Sequence, residues 1–94
     1  GCRALASASY RERIAWRDGA LGADDPRTID AAWQLEGLLR KSDEAGEAEA
    51  LRERYIAPLL AAEPDTLSES RAAKRKDIID TEREEALAAR AGAK

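Results

Sequence analysis

Apolar residues recur along most of the chain at spacings of three and four, which is the period of amphipathic α-helices. This pattern predicts four helices, at about residues 3–20, 26–41, 44–62 and 66–90, within one small domain, residues 1–94. Alanine, leucine, arginine and glutamate, which favour helices, dominate the sequence, whereas β-branched residues are few. The predicted fold class is therefore all-α, built from antiparallel helix-turn-helix pairs.

Turn residues mark the joint between the first two predicted helices. Gly19 and Gly22 favour the left-handed backbone that closes the carboxyl end of a helix. Asp24 or Asp25 can then cap the second helix, with Pro26 in its first turn, where a missing N–H group does no harm. The chain is therefore expected to turn back on itself here.

The two later joints are read in the same way. Residues 42–44 form a short connection, so the second and third helices are expected to run antiparallel. In the third helix Pro58 removes a backbone hydrogen bond and predicts a kink near Ala57. Asp65 is expected to cap the fourth helix.

The apolar positions predict which side of each helix is buried. The first helix has two stripes, one with Leu5, Ala8, Ala15, Trp16 and Gly19 and one with Tyr10, Ile14 and Leu21. The second and third helices have one each, formed by Ala31, Ala32, Leu35, Leu38 and Leu39, and by Ala48, Leu51, Tyr55, Leu59 and Ala62. We expect Trp16 to pack in the core or against a neighbouring repeat. The fourth helix is mostly polar with charges of alternating sign, so its second half is expected to project, pair with another chain or fray after Arg90.

Charge narrows the class of function. The chain has 16 basic and 19 acidic residues, and the one dense basic run, residues 71–76, is followed directly by acids. Such a run is typical of a solvated helix face, so nucleic acid is not an expected partner. No apolar run approaches the ~20 residues that span a bilayer. Membrane contact is therefore not expected unless Cys2 carries a lipid, an alternative that stays open because Gly1-Cys2 resembles the end of a bacterial lipoprotein signal.

The side chains that catalysis needs are missing from the sequence. There is no histidine to act as a base or metal ligand, no nucleophile motif and no phosphate-binding glycine loop. A single cysteine cannot form an internal disulfide. We therefore expect no enzyme, no cofactor and no metal site.

Two segments of the sequence echo each other. Tyr10-Arg-Glu-Arg-Ile14 precedes an Asp-Pro-Arg-Thr turn ending at Thr28, and Leu51-Arg-Glu-Arg-Tyr55 precedes a Glu-Pro-Asp-Thr turn ending at Thr66. The first halves are 41 residues apart and the threonines 38. A helix-pair period of about 40 residues is typical of solenoid proteins, whose units cannot bury their apolar faces alone.

The joint and the helices that follow it resemble a tetratricopeptide repeat of the kinesin-light-chain type. The residues that carry the resemblance are Leu21-Gly-Ala-Asp-Asp-Pro-Arg-Thr28, Leu35 and Glu47-Ala-Glu-Ala-Leu51. The family pattern is an L-G-x-x-H-P-x-T loop, a first helix with a central leucine and E-A-E-x-L in the second helix. The chain departs from it at Asp25, Glu36 and Asp43, where the family has histidine, a small residue and glycine. The resemblance implies one repeat with flanking helices, as a right-handed solenoid fragment with a long polar carboxyl-terminal helix.

The resemblance also implies a binding groove lined by the first helix of the pair. The groove positions are Asp30, Trp33, Gln34, Gly37, Arg40 and Lys41. A tryptophan over a glycine, flanked by two cations, suits an extended acidic or carboxylate-ended peptide. The alternative for Trp33 is packing on the first or fourth helix, where it would add to a small core.

The leading hypothesis is a protein–protein interaction module that binds a peptide or helical partner and belongs to a larger bacterial protein in the cytoplasm. One alternative is a self-associating structural or docking domain, including a homodimer formed through the fourth helix or an exposed end of the solenoid. Another is a lipid-anchored envelope protein, which depends on Cys2.

Overall fold

The computed structural model describes the backbone of residues 2–92 and the side chains of residues 5–92, so the possible lipid attachment at the Cys2 side chain lies outside the described part. Four helices account for most of the chain: α1 is Cys2–Leu21, α2 is Pro26–Lys41, α3 is residues 45–61 and α4 is Glu69–Gly92. No strand occurs between residues 2 and 92, which confirms the all-α class. Two compact units divide the chain, Gly1–Ala61 and Ala62–Lys94.

The joint between α1 and α2 uses the turn chemistry expected of it. Gly22 has a φ of 96°, and its N–H donates to the carbonyl oxygen of Asp18 at 2.9 Å. A left-handed residue with this bond is a common helix ending that glycine adopts without strain. Asp25 is the residue that caps α2, because its Oδ1 accepts from the backbone N–H of Arg27 at 2.8 Å, with Pro26 as the first helical residue.

Side-chain bonds show the directions of the first three helices. Tyr10 bonds to Gln34, and Arg17 bonds to the carbonyl oxygen of Arg27, so positions along α2 fall as those along α1 rise. These two helices therefore run antiparallel.

The pairs that join α3 to its neighbours follow the same logic. Glu36 bonds to Arg52 and Arg40 to Glu49, which makes α2 and α3 antiparallel. Arg11 of α1 bonds to Glu47 of α3 and Asp18 of α1 to Arg54 of α3, with a constant separation of 36 residues. Helices α1 and α3 therefore run in the same direction, and within the first unit α2 is antiparallel to both.

The core of the first unit lies on the inner sides of these three helices. Its fully buried apolar residues are Ile14 of α1, Ile29, Ala31, Ala32, Leu35 and Leu39 of α2, and Ala48, Tyr55, Ile56 and Leu59 of α3. Leu38, Leu51 and Ala62, which the sequence placed on buried stripes, are half-buried. Helix α2 contributes most because it packs against both α1 and α3.

Helix α3 changes its winding before its proline. Residues Ala45–Leu51 and Ala57–Ala61 are α-helical, but Arg52–Ile56 form a π-helical turn in which the N–H of Ala57 bonds the carbonyl oxygen of Arg52. Pro58 has no N–H to offer the carbonyl of Arg54, and its ring would crowd that turn. A kink was predicted near Ala57, and the feature that the structure has there is a widened turn that ends just before this residue.

The cap predicted for the fourth helix was wrong. Pro64–Thr66 form a separate 3₁₀ turn, in which the Thr66 hydroxyl donates to the carbonyl oxygen of Glu63 at 2.7 Å. Leu67 is extended, and α4 starts only after Ser68, whose Oγ accepts from the N–H of Arg71 at 3.3 Å. The hydrogen bonds of the 3₁₀ turn stay within residues 63–67, so the helix begins after them and Ser68 is the residue that caps it.

The burial of α1 also differs from expectation. The buried residues of α1 are Ile14, which belongs to the second predicted stripe, and Ser7 beside it. Leu5 and Trp16, which belong to the first stripe, are 75% and 68% exposed. Helices α2 and α3 both contact α1 on that inner side, where Tyr10 bonds to α2 and Arg11 bonds to α3 on either side of Ile14. Neither of these contacts involves the side of α1 that carries Trp16. The expectation that Trp16 packs in the core was wrong.

The second unit is one long helix with its preceding turn. Ile78 is fully buried, whereas every residue from 83 to 92 is exposed. The predicted long, solvated second half is therefore present, and the helix continues to Gly92. Within residues 2–92, none of the helices combines the length and apolar character that crossing a bilayer requires.

Candidate binding surface

The six predicted groove residues all lie on the side of α2 opposite its buried residues. On the inner side, seven residues from Thr28 to Leu39 are buried. On the other side Asp30 and Trp33 are half-buried, and Gln34, Gly37, Arg40 and Lys41 are exposed. We call these six residues the outward face of α2. A single helix places them together because positions three and four apart fall on one side.

The amino-terminal part of the outward face is held by a short hydrogen-bond chain. The hydroxyl of Tyr10 donates to Oε1 of Gln34 at 2.6 Å, and Nε2 of Gln34 donates to Oδ2 of Asp30 at 2.7 Å. The guanidinium of Arg13 lies 5.0 Å from the centre of the Tyr10 ring. Tyr10 thus fixes the orientation of the Gln34 amide from the neighbouring helix, a role that its apolar stripe in the sequence did not reveal.

Trp33 and Gly37 form the middle of this surface. They are one helical turn apart, so the glycine lies beside the indole on the same face. A Cβ atom built on Gly37 would meet nothing within 4 Å, which leaves open space above the backbone at this point. Trp33 itself is half-buried. The surface therefore combines a partly accessible tryptophan with an open stretch of helix backbone at Gly37.

The cations at the end of α2 already have partners. The Arg40 guanidinium donates to Oε2 of Glu36 at 2.8 Å and reaches Oε2 of Glu49 at 3.5 Å, and these carboxylates raise the Arg40 pKa. Lys41 also takes part in a polar interaction. Positive charge is present at this end of the surface, but an anionic ligand would share Arg40 with two carboxylates.

Glu36 is the buried polar centre beneath the surface. Its side chain is 4% exposed, and it accepts from Arg40 and from Nη1 of Arg52 at 3.2 Å. The sequence marked Glu36 only as a departure from a small residue. The arginine partner on α3, 16 positions later, became visible only in the folded chain.

Two carboxylates of the first unit outside this surface have lowered pKa values. Hydrogen bonds from the Tyr55 hydroxyl, at 2.6 Å, and from Arg54 lower the pKa of Asp18. Bonds from Arg27 likewise lower the pKa of Asp25. The Tyr55 pKa is raised, first by burial and then by its bond to Asp18. Each shift follows from a bond that joins two helices or caps one, so these groups stabilise the fold.

The arrangement offers shape and charge for binding. Among the described residues no group of three or more histidine, cysteine, aspartate or glutamate side chains is placed to hold a metal ion. The fold and this surface define an all-α protein with a mixed aromatic and charged helix face. Comparisons with protein-family models, with curated proteins and with solved structures each found no match.

Proposed function

We propose that the chain is a protein–protein interaction module of the tetratricopeptide type, and that it binds an extended peptide along the outward face of α2. The observation that carries the proposal is the order of helix directions. Helices α1 and α3 run parallel at a constant offset of 36 residues, with α2 antiparallel between them. A solenoid of helix pairs has this alternation, in which like helices of successive units lie side by side.

The turn between α2 and α3 supports the same proposal. Asp43 has a φ of 60°, and the N–H of Glu44 bonds the carbonyl oxygen of Leu39 at 2.9 Å. This is a helix ending in which the left-handed residue is usually glycine. The kinesin-light-chain type of repeat has its glycine at the position of Asp43. A left-handed backbone at the position where the family has glycine supports the proposal.

The partner we propose is an acidic peptide, in a bacterial cytoplasmic setting as part of a larger protein. Trp33 supplies contact area, the space above Gly37 admits a backbone, and Arg40 and Lys41 set the sign of charge. An extended peptide that lies along the helix can meet all of these groups at once.

Peptide titration monitored by amide NMR shifts tests this proposal. The probes are a glutamate-rich peptide with a free carboxylate and the same peptide with lysine in place of glutamate. We expect the acidic peptide to shift the amides of the outward face and the basic peptide to leave them unchanged, because Arg40 and Lys41 would repel it. Absence of binding at millimolar peptide, or shifts confined to other residues, would refute the proposal.

Two tryptophan variants provide a matched pair for the same titration. Trp33→Ala removes the indole ring and should weaken acidic-peptide binding by about 10-fold or more. Trp16→Ala removes an equally large side chain from an exposed part of α1 and should leave binding unchanged. Thermal melting separates the two roles of Trp33, since a large loss of stability in Trp33→Ala would mark it as core and not as ligand contact.

A further inference from the structure

Three large apolar side chains are strongly exposed among residues 5–92. Leu5 is 75% exposed, Trp16 68% and Leu87 56%. Two of them lie on α1 and the third lies in the second half of α4. We propose that the exposed face of α1 binds the second half of α4 from another copy of this chain. The proposal concerns a surface separate from the outward face of α2 and does not rest on peptide binding there.

The exposed face of α1 is a continuous strip. We define it by Leu5, Ala8, Glu12, Trp16 and Gly19, all of them exposed and all within one side of the helix. Leu5 and Trp16 stand three turns apart, about 16 Å along the axis. The residues between and beyond them are small, apart from Glu12. A second helix can therefore approach closely and cover both apolar side chains.

The second half of α4 has the matching length and chemistry. Residues 83–92 are exposed on all sides, and ten helical residues extend about 15 Å. On the helix surface Leu87 lies beside Arg83, Glu84 and Arg90, which are four and three residues before it and three after it. The two arginines lie on one side of Leu87 and the glutamate on the other, so this segment presents one large apolar side chain with a pair of cations along one edge.

The arginine-bearing edge beside Leu87 is complementary in charge to the exposed face of α1 and favours α4 as the occupant. Glu12 sits between Leu5 and Trp16, where the arginines beside Leu87 can pair with it as the apolar side chains meet. Two α1 faces meeting each other would instead bring Glu12 near Glu12 of the second copy, which is repulsive. The α1–α4 pairing also covers all three exposed apolar side chains, which an α1–α1 pairing does not.

The size of the contact predicts a weak, reversible dimer. Burial of a tryptophan removes about 150–250 Å² from water, so two reciprocal contacts of this kind cover several hundred Å² of apolar surface, below the roughly 1,200 Å² of stable interfaces. Reciprocal exchange of α4 between two copies closes the assembly as a symmetric pair. We therefore expect association in the micromolar to millimolar range.

Sedimentation of the full chain under reducing conditions, from micromolar to millimolar protein, tests the proposal. Trp16→Lys and Leu87→Lys should each weaken association by about 30-fold or more, the effect of losing a central apolar contact. Ala50→Lys is the matched control, since it adds the same charge at an exposed alanine of α3 and should leave association unchanged. Circular dichroism confirms that each variant keeps its helices.

Charge exchange identifies the occupant. Glu12→Arg alone, and Arg83→Glu with Arg90→Glu, should each associate less than the parent, because both place like charges in the contact. A mixture of the two variants should associate again, since every α1–α4 contact in the mixed dimer then has opposite charges. The proposal is overturned if the chain stays monomeric at millimolar concentration, if Leu87→Lys has no effect while Trp16→Lys does, or if mixing restores nothing.

Discussion

Glu36 holds a carboxylate between α2 and α3, where its side chain is 4% exposed. Its two partners are closer to water, since the side chain of Arg52 is 27% exposed and that of Arg40 is 44% exposed. This asymmetry decides what each substitution costs. Arginines that lose their acid can hydrate, whereas an acid that loses its arginines stays buried and unpaired.

The magnitudes follow from that asymmetry. Glu36→Ala in the parent chain removes charged hydrogen bonds but frees only half-exposed cations, so we expect a loss of about 1 kcal/mol in the free energy of unfolding. Arg40→Leu with Arg52→Leu leaves the carboxylate uncompensated and should cost about 3 kcal/mol, the low end of the range for breaking a buried pair. In that double variant, Glu36→Ala should then be stabilising by about 2 kcal/mol, because it removes the isolated charge.

Urea unfolding followed by circular dichroism measures each corner of this cycle. For a chain of this size the slope is about 1–2 kcal/mol per molar urea, so the expected changes move the midpoint by about 0.5 M or more. The control is the exposed pair of Arg11 and Glu47, both more than 40% exposed, for which Glu47→Ala should have a small effect with or without Arg11. If Glu36→Ala lowers stability equally in both backgrounds, the reasoning from burial is wrong.

Three further predictions concern backbone strain, an unpaired hydroxyl and acid sensitivity. Asp43→Gly should stabilise the chain by about 0.5–1 kcal/mol in urea unfolding, since glycine adopts the φ of 60° without strain, and Asp43→Ala should not. Thr28→Val should be neutral or raise the thermal midpoint, because the buried Oγ1 of Thr28 has no hydrogen-bond partner among the described residues and valine keeps the shape; a clear loss of stability would point to a bound water. The lowered pKa of Asp18 gives stability that is present above its unfolded value and is lost as pH falls through the folded value. Melting temperatures measured against pH should therefore fall less steeply below about pH 4 in Tyr55→Phe than in the parent, and equal slopes would contradict this origin of the shift.

The sequence did not predict correctly which side of α1 is buried. The two apolar stripes on α1 were interpreted as those of a helix wedged between neighbours, and Trp16, on the stripe with Leu5, was expected to pack in the core or against a neighbouring repeat. Burial went instead to Ile14, because Tyr10 and Arg11 on either side of it bond to α2 and α3. These hydrogen bonds join residues that are 24 and 36 positions apart in the sequence, so no local sequence pattern indicates them. The start of α4 was misplaced for a related reason, since several polar residues in a row can each serve as a cap.

The position of the candidate surface was easier to predict from the sequence than the hydrogen-bond partners of its residues. The six groove positions are those that the resemblance to the tetratricopeptide repeat implies, and the folded chain has all six half-buried or exposed on one side of α2. Neither the resemblance nor helix periodicity contains the set of hydrogen-bond partners from other helices. Tyr10 on Gln34 and Arg52 on Glu36 are examples, and they determine which groups of the surface are already engaged.

The sequence by itself determined the helical class, the turn from α1 to α2 and the polar character of α4, because these depend on local propensity, capping and charge over a few residues. The folded structure decided the inner side of α1, the π-helical turn before Pro58, the left-handed backbone of Asp43 and the buried site of Glu36. The π-helical turn has its cause in the nearby Pro58, whereas the inner side of α1 and the site of Glu36 are settled by contacts between segments far apart in the chain. Such contacts compete in free energy with local preference, and only packing shows which of the two prevails.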